Sequence, residues 1–260
     1  EAVRELQGPG AVVIKHASPC GAATAPDLER AYRAAHDADP LSAFGGIVAL
    51  NRTVDEPTAR ALVETFLECV IAPDYDAVAL EVLRTKKNLR ILATGAWLPA
   101  DHRALYGKAI GGGYVFQDRD PTASGEVLGG KVVTEKSPTD AEREALEFAW
   151  ALCKHVRSNA ILLARVVAPG VYATVGIGGG QTSRVSSVRI ACAQAGDLAR
   201  GAVLASDAFF PFPDGIEAAA AAGVSAIAQP GGSKKDDEVV AAANRLGVAM
   251  VMTGVRHFRH

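Results

Sequence analysis

The sequence predicts an α/β protein: a sheet covered by helices on both faces. Three observations lead there. Short runs that are apolar along their whole length and rich in β-branched residues recur through the chain. Stretches with apolar positions at helical spacing separate them, which is the pattern of helices packed on a sheet. A chain of 260 residues that is 49% apolar and 22% charged also has enough apolar side chains for a large core, in one domain or two.

The elements follow in order. The first strand is expected at 11–15, and a turn containing Pro19 and Gly21 at 16–21. Residues 27–38 read as a helix with Leu28, Ala31, Tyr32 and Ala35 on one face. A second strand falls at 47–50, and Asp55 then caps a helix whose first turn holds Pro57. A third strand is expected at 69–72, a helix beginning at Asp74, and a fourth strand at 89–93. From 94 to 136 the composition turns to Gly, Asp and Pro, with strand-like runs at 114–116 and 131–134. This reads as a long connection with a small hairpin, and a subdomain boundary near its end divides 1–136 from 137–260.

The second part opens on Thr139-Asp140-Ala141-Glu142, a capping box, after which Ala145, Ala149, Leu152 and Val156 repeat at helical spacing. Strands are expected at 160–164, 171–177, 202–206, 224–228 and 248–252, and helices at 183–198, 215–222 and 236–246. The two parts share an α/β plan without a residue-level repeat.

Charge and composition exclude several classes. A net charge of -2 argues against a general nucleic-acid binder, whose affinity rests on excess Lys and Arg. No apolar run approaches the roughly 20 residues that span a bilayer, so no membrane association is expected. The first residues, Glu1-Ala2-Val3-Arg4-Glu5, have neither the charge pattern nor the apolar stretch of a signal peptide. Lacking an initial Met, the chain reads as a piece or a processed product. Cys20, Cys69, Cys153 and Cys192 are scattered through apolar or helical surroundings, which fits buried thiols in a reducing, cytoplasmic compartment. None is spaced for zinc.

Lys15 and His16 lie at the carboxyl end of a strand, where open α/β sheets bind ligands. A His there can act as a general base, and an adjacent cation favours the neutral imidazole that the role needs. The Lys can stabilise negative charge on a carbonyl oxygen during acyl transfer. The plainer reading is a solvated Lys beside a hydrogen-bonded His. The run Gly176-Ile177-Gly178-Gly179-Gly180-Gln181-Thr182-Ser183-Arg184 leaves a strand and enters a helix. It reads either as an anion cradle at a helix N-terminus or as a tight turn. Gln181 stands where a P-loop has Lys and where the dinucleotide fingerprint has its last Gly, which disfavours a dehydrogenase. The aromatics of Ser206-Asp207-Ala208-Phe209-Phe210-Pro211-Phe212 could stack on a flat ring or join the core. The tail Arg256-His257-Phe258-Arg259-His260 could close on a phosphate or fray.

Taken together, Lys15-His16-Ala17-Ser18-Pro19-Cys20-Gly21, Ser42-Ala43-Phe44-Gly45-Gly46, Val70-Ile71-Ala72-Pro73, Ser158-Asn159-Ala160, 178–184, 206–212 and 256–260 occur in an order that resembles one family. It is the AICAR transformylase part of the bifunctional purine biosynthesis proteins, whose other part is an IMP cyclohydrolase. The resemblance covers nearly the whole chain. It implies two tandem cytidine-deaminase-like three-layer α/β/α subdomains, and formyl transfer from 10-formyltetrahydrofolate to the 5-amino group of AICAR. It also implies a homodimer whose active sites draw on both subunits.

Carried over by position, His16 resembles the proton acceptor, Lys15 its charged helper, and Asn159 the group that orients His16 or the amine. The nucleotide would meet Gly45, Glu68, Lys87, Arg184, Phe209 and Arg256. The reduced folate would lie near Val185, Asp214, Ser233 and Lys234. No metal is implied: zinc deaminases of related fold carry His-x-Glu and Pro-Cys-x-x-Cys elements, whereas Pro19-Cys20-Gly21-Ala22-Ala23 lacks the second Cys. The family's upstream Arg-Tyr-Gly and Asn-Pro-His-Gln segment is not in this chain, which leaves a second reading, a non-catalytic piece that binds nucleotide or serves assembly.

Overall fold

The computed structural model describes residues 1–97, 105–120 and 124–260, so parts of the connection expected at 94–136 lie outside the described residues. A 3-10 turn (Ala2–Glu5) leads into β1 (Gly10–Lys15), which pairs antiparallel with β2 (Ser18–Thr24). The turn expected at 16–21 therefore shrinks to His16 and Ala17. Gly21 sits in the strand opposite Val13, and Pro19 sits opposite Ile14 where the register shifts. A register irregularity is one of the few strand positions that tolerates a missing N–H. His16 turns the chain with φ 53°, in the left-handed region.

Helix α1 (Leu28–Asp37) begins where the Asp27 carboxylate accepts from the Arg30 amide, and it buries Leu28, Ala31, Tyr32 and Ala35. A short helix not expected from the sequence, α2 (Pro40–Ala43), follows, capped by Asp39. Then come β3 (Gly46–Leu50), α3 (Glu56–Glu64) capped by Asp55, β4 (Leu67–Ala72), α4 (Ala77–Arg84) and β5 (Arg90–Ala93). Helix α4 begins after Asp76, two residues later than expected. The run at 114–116 lies in β7 (Gly113–Asp118), whose hairpin partner is β6 (Leu105–Ile110). Residues Lys131–Val132 form β8 and join the main sheet instead, beside the last strand.

Helix α5 (Asp140–Cys153) carries both halves of its capping box between Thr139 and Glu142, and ends before Val156. Strands β9 (Ile161–Ala168) and β10 (Val171–Gly178) form a third hairpin. They are followed by α6 (Arg184–Ala195), which passes into a 3-10 turn (Gly196–Ala199), and by β11 (Val203–Ser206). Helix α7 (Asp214–Ala221), β12 (Ala226–Gln229), α8 (Asp236–Leu246) and β13 (Ala249–Met252) complete the regular structure of the described residues.

Eleven strands form one mixed sheet in the order β5-β4-β3-β1-β2-β10-β9-β11-β12-β13-β8. Its two sides repeat one plan: a hairpin, then three further strands, each reached through a helix and each added outward, with β8 paired beyond β13 at the edge of the second side. The sides meet where β2 and β10 pair antiparallel, Thr24 opposite Tyr172 and Ala23 opposite Ala173. The Thr174 hydroxyl strengthens this seam by accepting from the Ala22 amide at 2.9 Å and donating to the Ala22 carbonyl at 3.3 Å.

Right-handed crossovers that always step outward put every crossover helix on the same face. Helices α1, α3 and α4 pack on Val13, Val48 and Val70, and α6, α7 and α8 pack on Leu163, Leu204 and Ile227. Ala173 and Val175, two apart on β10, enter these two clusters, so both helix sets share one face. Helix α5 and the Ala2–Glu5 turn cover the opposite face over Val12, Leu162, Ala205 and Ala228. That cover does not reach the outer strands of the first side, where Ile47 is 37% and Leu92 50% exposed. Coverage on both faces, expected for the whole sheet, thus holds for the second side and fails for β3–β5 among the described residues. No described helix of the first side stands where α5 stands in the second.

Candidate active site

Strand direction gathers the expected residues. The carboxyl ends of β1, β10, β11, β12 and β13 and the amino ends of β3, β4, β5 and β9 share one edge of the sheet. Every site residue inferred from the sequence lies along that edge, in three groups.

The first surrounds the β1–β2 hairpin. Lys15 Nζ donates to the Phe44 carbonyl at 2.5 Å. A Cβ added to Gly45 (φ 66°) would sit 3.2 Å from that Nζ, so glycine here leaves the cation uncovered. The rings of Phe44 and Phe66 pack at 5.2 Å beneath. His16 is exposed at the hairpin tip. Glu68 pairs with Arg90 at 2.6 Å, a partner the sequence did not single out, and Lys87 is exposed just before β5.

The second group is buried. The Arg184 side chain donates to Asp207 Oδ1 at 2.5 Å, to Ser206 Oγ at 2.8 Å and to Asn159 Oδ1 at 2.8 Å. The Asn159 amide nitrogen donates to the Gln181 carbonyl at 2.8 Å, and Ser158 Oγ donates to Asp207. Arg184 is 7% exposed and Asp207 1%. Asn159 is thus held at both ends of its amide by its own chain. It makes no hydrogen bond to His16, and β1 and β9 are three strand spacings apart, about 14 Å. Helix α6 reaches this position by close contact with β10. A Cβ on Gly176 would lie 2.1 Å from the Ala191 carbonyl, and one on Gly178 2.0 Å from that of Ser187. The first glycines of 176–184 therefore serve helix–strand packing inside a strand, and neither sequence reading anticipated this.

The third group is aromatic and basic. The Arg256 guanidinium lies 5.0 Å from the centre of the Phe209 ring, and Lys235 Nζ 5.2 Å from that of Phe212. Phe210 belongs to the core at 1% exposure, so the three aromatics divide between the two readings. Ser233 is tied to the start of α8 through Asp236 and Lys235, and Asp214 Oδ1 accepts from the Gly215 amide at the start of α7. Lys234 is exposed and Val185 half-buried. The tail does not fray at its second residue. His257 is 1% exposed, with Nδ1 2.7 Å from Asp120 and Nε2 2.7 Å from Glu126.

Ser158, Ser206, Asp207, Arg90 and His257 were missed as site residues. Polar side chains closing an apolar strand, as in Ser206-Asp207, were the available signal. A cavity of about 650 Å³ borders the tail, between it, the β6–β7 hairpin and the Ala2–Glu5 turn. Its lining includes Trp97, Tyr106, Phe116, His155 and Arg259. Burial lowers the pKa of His155 there, with the Glu5 carboxylate opposing.

The thiols are free, Cys69 and Cys153 buried and Cys20 and Cys192 half-buried. Burial pushes Cys20 and Cys192 up to about 11. Among the described residues no three His, Cys, Asp or Glu side chains form a metal-holding group, and no helix is long and apolar enough to cross a membrane.

These features define an α/β protein whose strand ends gather lysine, arginine, histidine and aromatic side chains along a single edge. More narrowly, the chain belongs to the AICARFT/IMPCHase bienzyme family, whose model matches residues 1–194. It is 65% identical over 260 residues to the bifunctional purine biosynthesis protein PurH of Sorangium cellulosum, covering all of this chain and 49% of that protein. It is 52% identical to the PurH of Myxococcus xanthus over 98% of this chain and 49% of the relative. For the PurH of Synechococcus elongatus the identity is 51%, over all of this chain and 50% of the relative. The chain spans about half the length of the curated relatives it matches.

Proposed function

We propose that this chain carries the formyl-transfer chemistry of its family rather than the cyclohydrolase chemistry, moving the formyl group of 10-formyltetrahydrofolate to the 5-amino group of AICAR in purine biosynthesis. The observation that carries the reading is the hairpin tip. His16 stands exposed beside Lys15, whose Nζ is held by the Phe44 carbonyl and left open by Gly45. The AICAR amine is conjugated with its ring and is a poor nucleophile, so it must lose a proton as it attacks. His16 accepts that proton. Lys15 stabilises the oxyanion that develops on the formyl oxygen. N10 of the folate is protonated as it leaves. Holding two large substrates in line supplies much of the remaining acceleration.

The AICAR ring stacks on Phe209, its phosphate meets Arg256, and Lys87 and Glu68 lie further along the same edge. Arg184, turned inward, holds Asn159 in place. The folate lies along Val185, Asp214, Ser233 and Lys234. The repeated strand plan supports reading 1–136 and 137–260 as tandem cytidine-deaminase-like subdomains. The separation of about 14 Å between β1 and β9 supports a homodimer in which Lys15 and His16 of one subunit face Asn159 of the other. So does the β6–β7 hairpin, whose Leu105, Tyr106, Tyr114 and Phe116 are all exposed, since a lone two-stranded hairpin is marginal in water. A cytoplasmic enzyme fits the free thiols.

The test is folate-dependent formylation of AICAR by the full-length protein and its His16→Ala variant. The variant should lose about 10²–10⁴-fold in kcat with little change in AICAR affinity. Unchanged turnover would rule His16 out as the base.

A further inference from the structure

His257 takes no part in the chemistry proposed above. It is 1% exposed, and each ring nitrogen faces a carboxylate: Nδ1 lies 2.7 Å from Asp120 Oδ1, and Nε2 2.7 Å from Glu126 Oε2. A neutral imidazole has one N–H. It could satisfy one carboxylate and would set a lone pair against the other. The imidazolium donates to both, and such charge-assisted bonds are the stronger kind.

The surroundings fix this arrangement. Trp150 on α5 donates its Nε1–H to Glu126 Oε2 at 2.7 Å and lies edge-on to the His257 ring at 5.5 Å. The His257 amide donates to the Asp207 carbonyl at 3.1 Å, and the Asp207 carboxylate turns the other way, to Arg184. Arg119, next to Asp120, is paired with Glu1 at 3.2 Å. On its own segment His257 is flanked by Arg256, which lies over Phe209, and Arg259 is two residues on.

We propose that His257 is a positioning residue: as an imidazolium clamped between Asp120 and Glu126, it holds the chain that places Arg256 over Phe209, and its loss of a proton loosens nucleotide binding there. The inference rests on Arg256 as the contact for the nucleotide's phosphate. Burial alone lowers the basicity of this ring, but the hydrogen bonds and charges of Asp120 and Glu126 outweigh burial and raise it. With the folded-state value raised, the clamp is fully formed below the ordinary histidine value of about 6.5 and is lost as pH rises through the raised value.

The test uses the full-length protein with 15N-labelled histidine, wild type and Glu126→Gln. The ring is followed by NMR and AICAR affinity by calorimetry, both from pH 6 to 9. The wild-type ring should carry protons on both nitrogens at pH 7. In Glu126→Gln its titration midpoint should fall, and the pH at which AICAR affinity drops should fall with it. A separate variant, His257→Asn, should bind AICAR about tenfold more weakly at pH 7 and lose the pH dependence. A singly protonated wild-type ring at pH 7, or an affinity midpoint that stays in place in Glu126→Gln, would overturn the clamp. If the wild type binds no AICAR at any pH, the reading of Arg256 fails separately. The clamp is then decided by amide exchange at 256–260 in Glu126→Gln at pH 8. Faster exchange than in wild type supports it, and equal exchange overturns it.

Discussion

Replacing Asp207 by Ala tests the buried network directly. Asp207 is 1% exposed and its carboxylate takes the Arg184 guanidinium at 2.5 Å and the Ser158 hydroxyl. Truncation leaves a guanidinium that is 7% exposed with only two neutral acceptors, Ser206 Oγ and Asn159 Oδ1. Breaking a buried pair from one side costs about 3–5 kcal/mol, because the remaining charge stays desolvated. For a chain of this size that corresponds to a fall in Tm of about 6–20 °C. The Arg60–Glu56 pair is the control. It is equally close at 2.5 Å, but its side chains are 65% and 43% exposed. Glu56→Ala should cost less than about 1 kcal/mol. Thermal melts of both variants at pH 7 in one buffer make the comparison. Similar losses in the two, or a loss below about 1 kcal/mol in Asp207→Ala, would refute the argument that burial and not distance sets the effect. The double variant Arg184→Met/Asp207→Leu should regain most of the stability, since no charge is then stranded.

Gly178→Ala would put a Cβ 2.0 Å from the Ser187 carbonyl, forcing α6 off β10. It should lower stability by about 1–3 kcal/mol, whereas Gly113→Ala, where nothing lies within 4 Å, should be near neutral. Equal melting temperatures for the two variants would contradict this. The thiols of Cys20 and Cys192, raised to about 11, should react with iodoacetamide at pH 8 roughly 100-fold more slowly in the native protein than in guanidinium. Peptide mass spectrometry reads both rates, and equal rates would show that burial does not hold these thiols.

Much of the fold was legible because its signals are local. Asp55 before Pro57, and Thr139 three residues before Glu142, each mark a helix start that backbone geometry demands, and both caps form. Position 16–21 was misread because Pro19 and Gly21 are turn formers by propensity. Pairing with β1 overrode them, at a register shift for Pro19 and at a close approach of α1 for Gly21, where a Cβ would lie 1.9 Å from the Ala35 carbonyl. The partner of 114–116 was not legible, because which strand pairs with which is a long-range fact. At the site, residue types and family motifs pointed to residues that the fold gathers along one edge of the sheet. They did not show that Arg184 and Asn159 bond to each other, nor that His257 is buried. Those facts depend on Asp120, Glu126 and Asp207, which are distant in sequence and carry no periodic signal of their own.

The β2–β10 seam has a mechanical consequence. Two paired residues and the Thr174 hydroxyl make one unbroken backbone ladder from β5 to β8, so the sides of the sheet cannot swing about a linker as hinged lobes do. The gap between the lysine tip and the buried arginine is therefore set like the marks on a ruler. A ligand reaching both must match that span, or find the second mark on another copy of the chain, because closing it would tear main-chain hydrogen bonds.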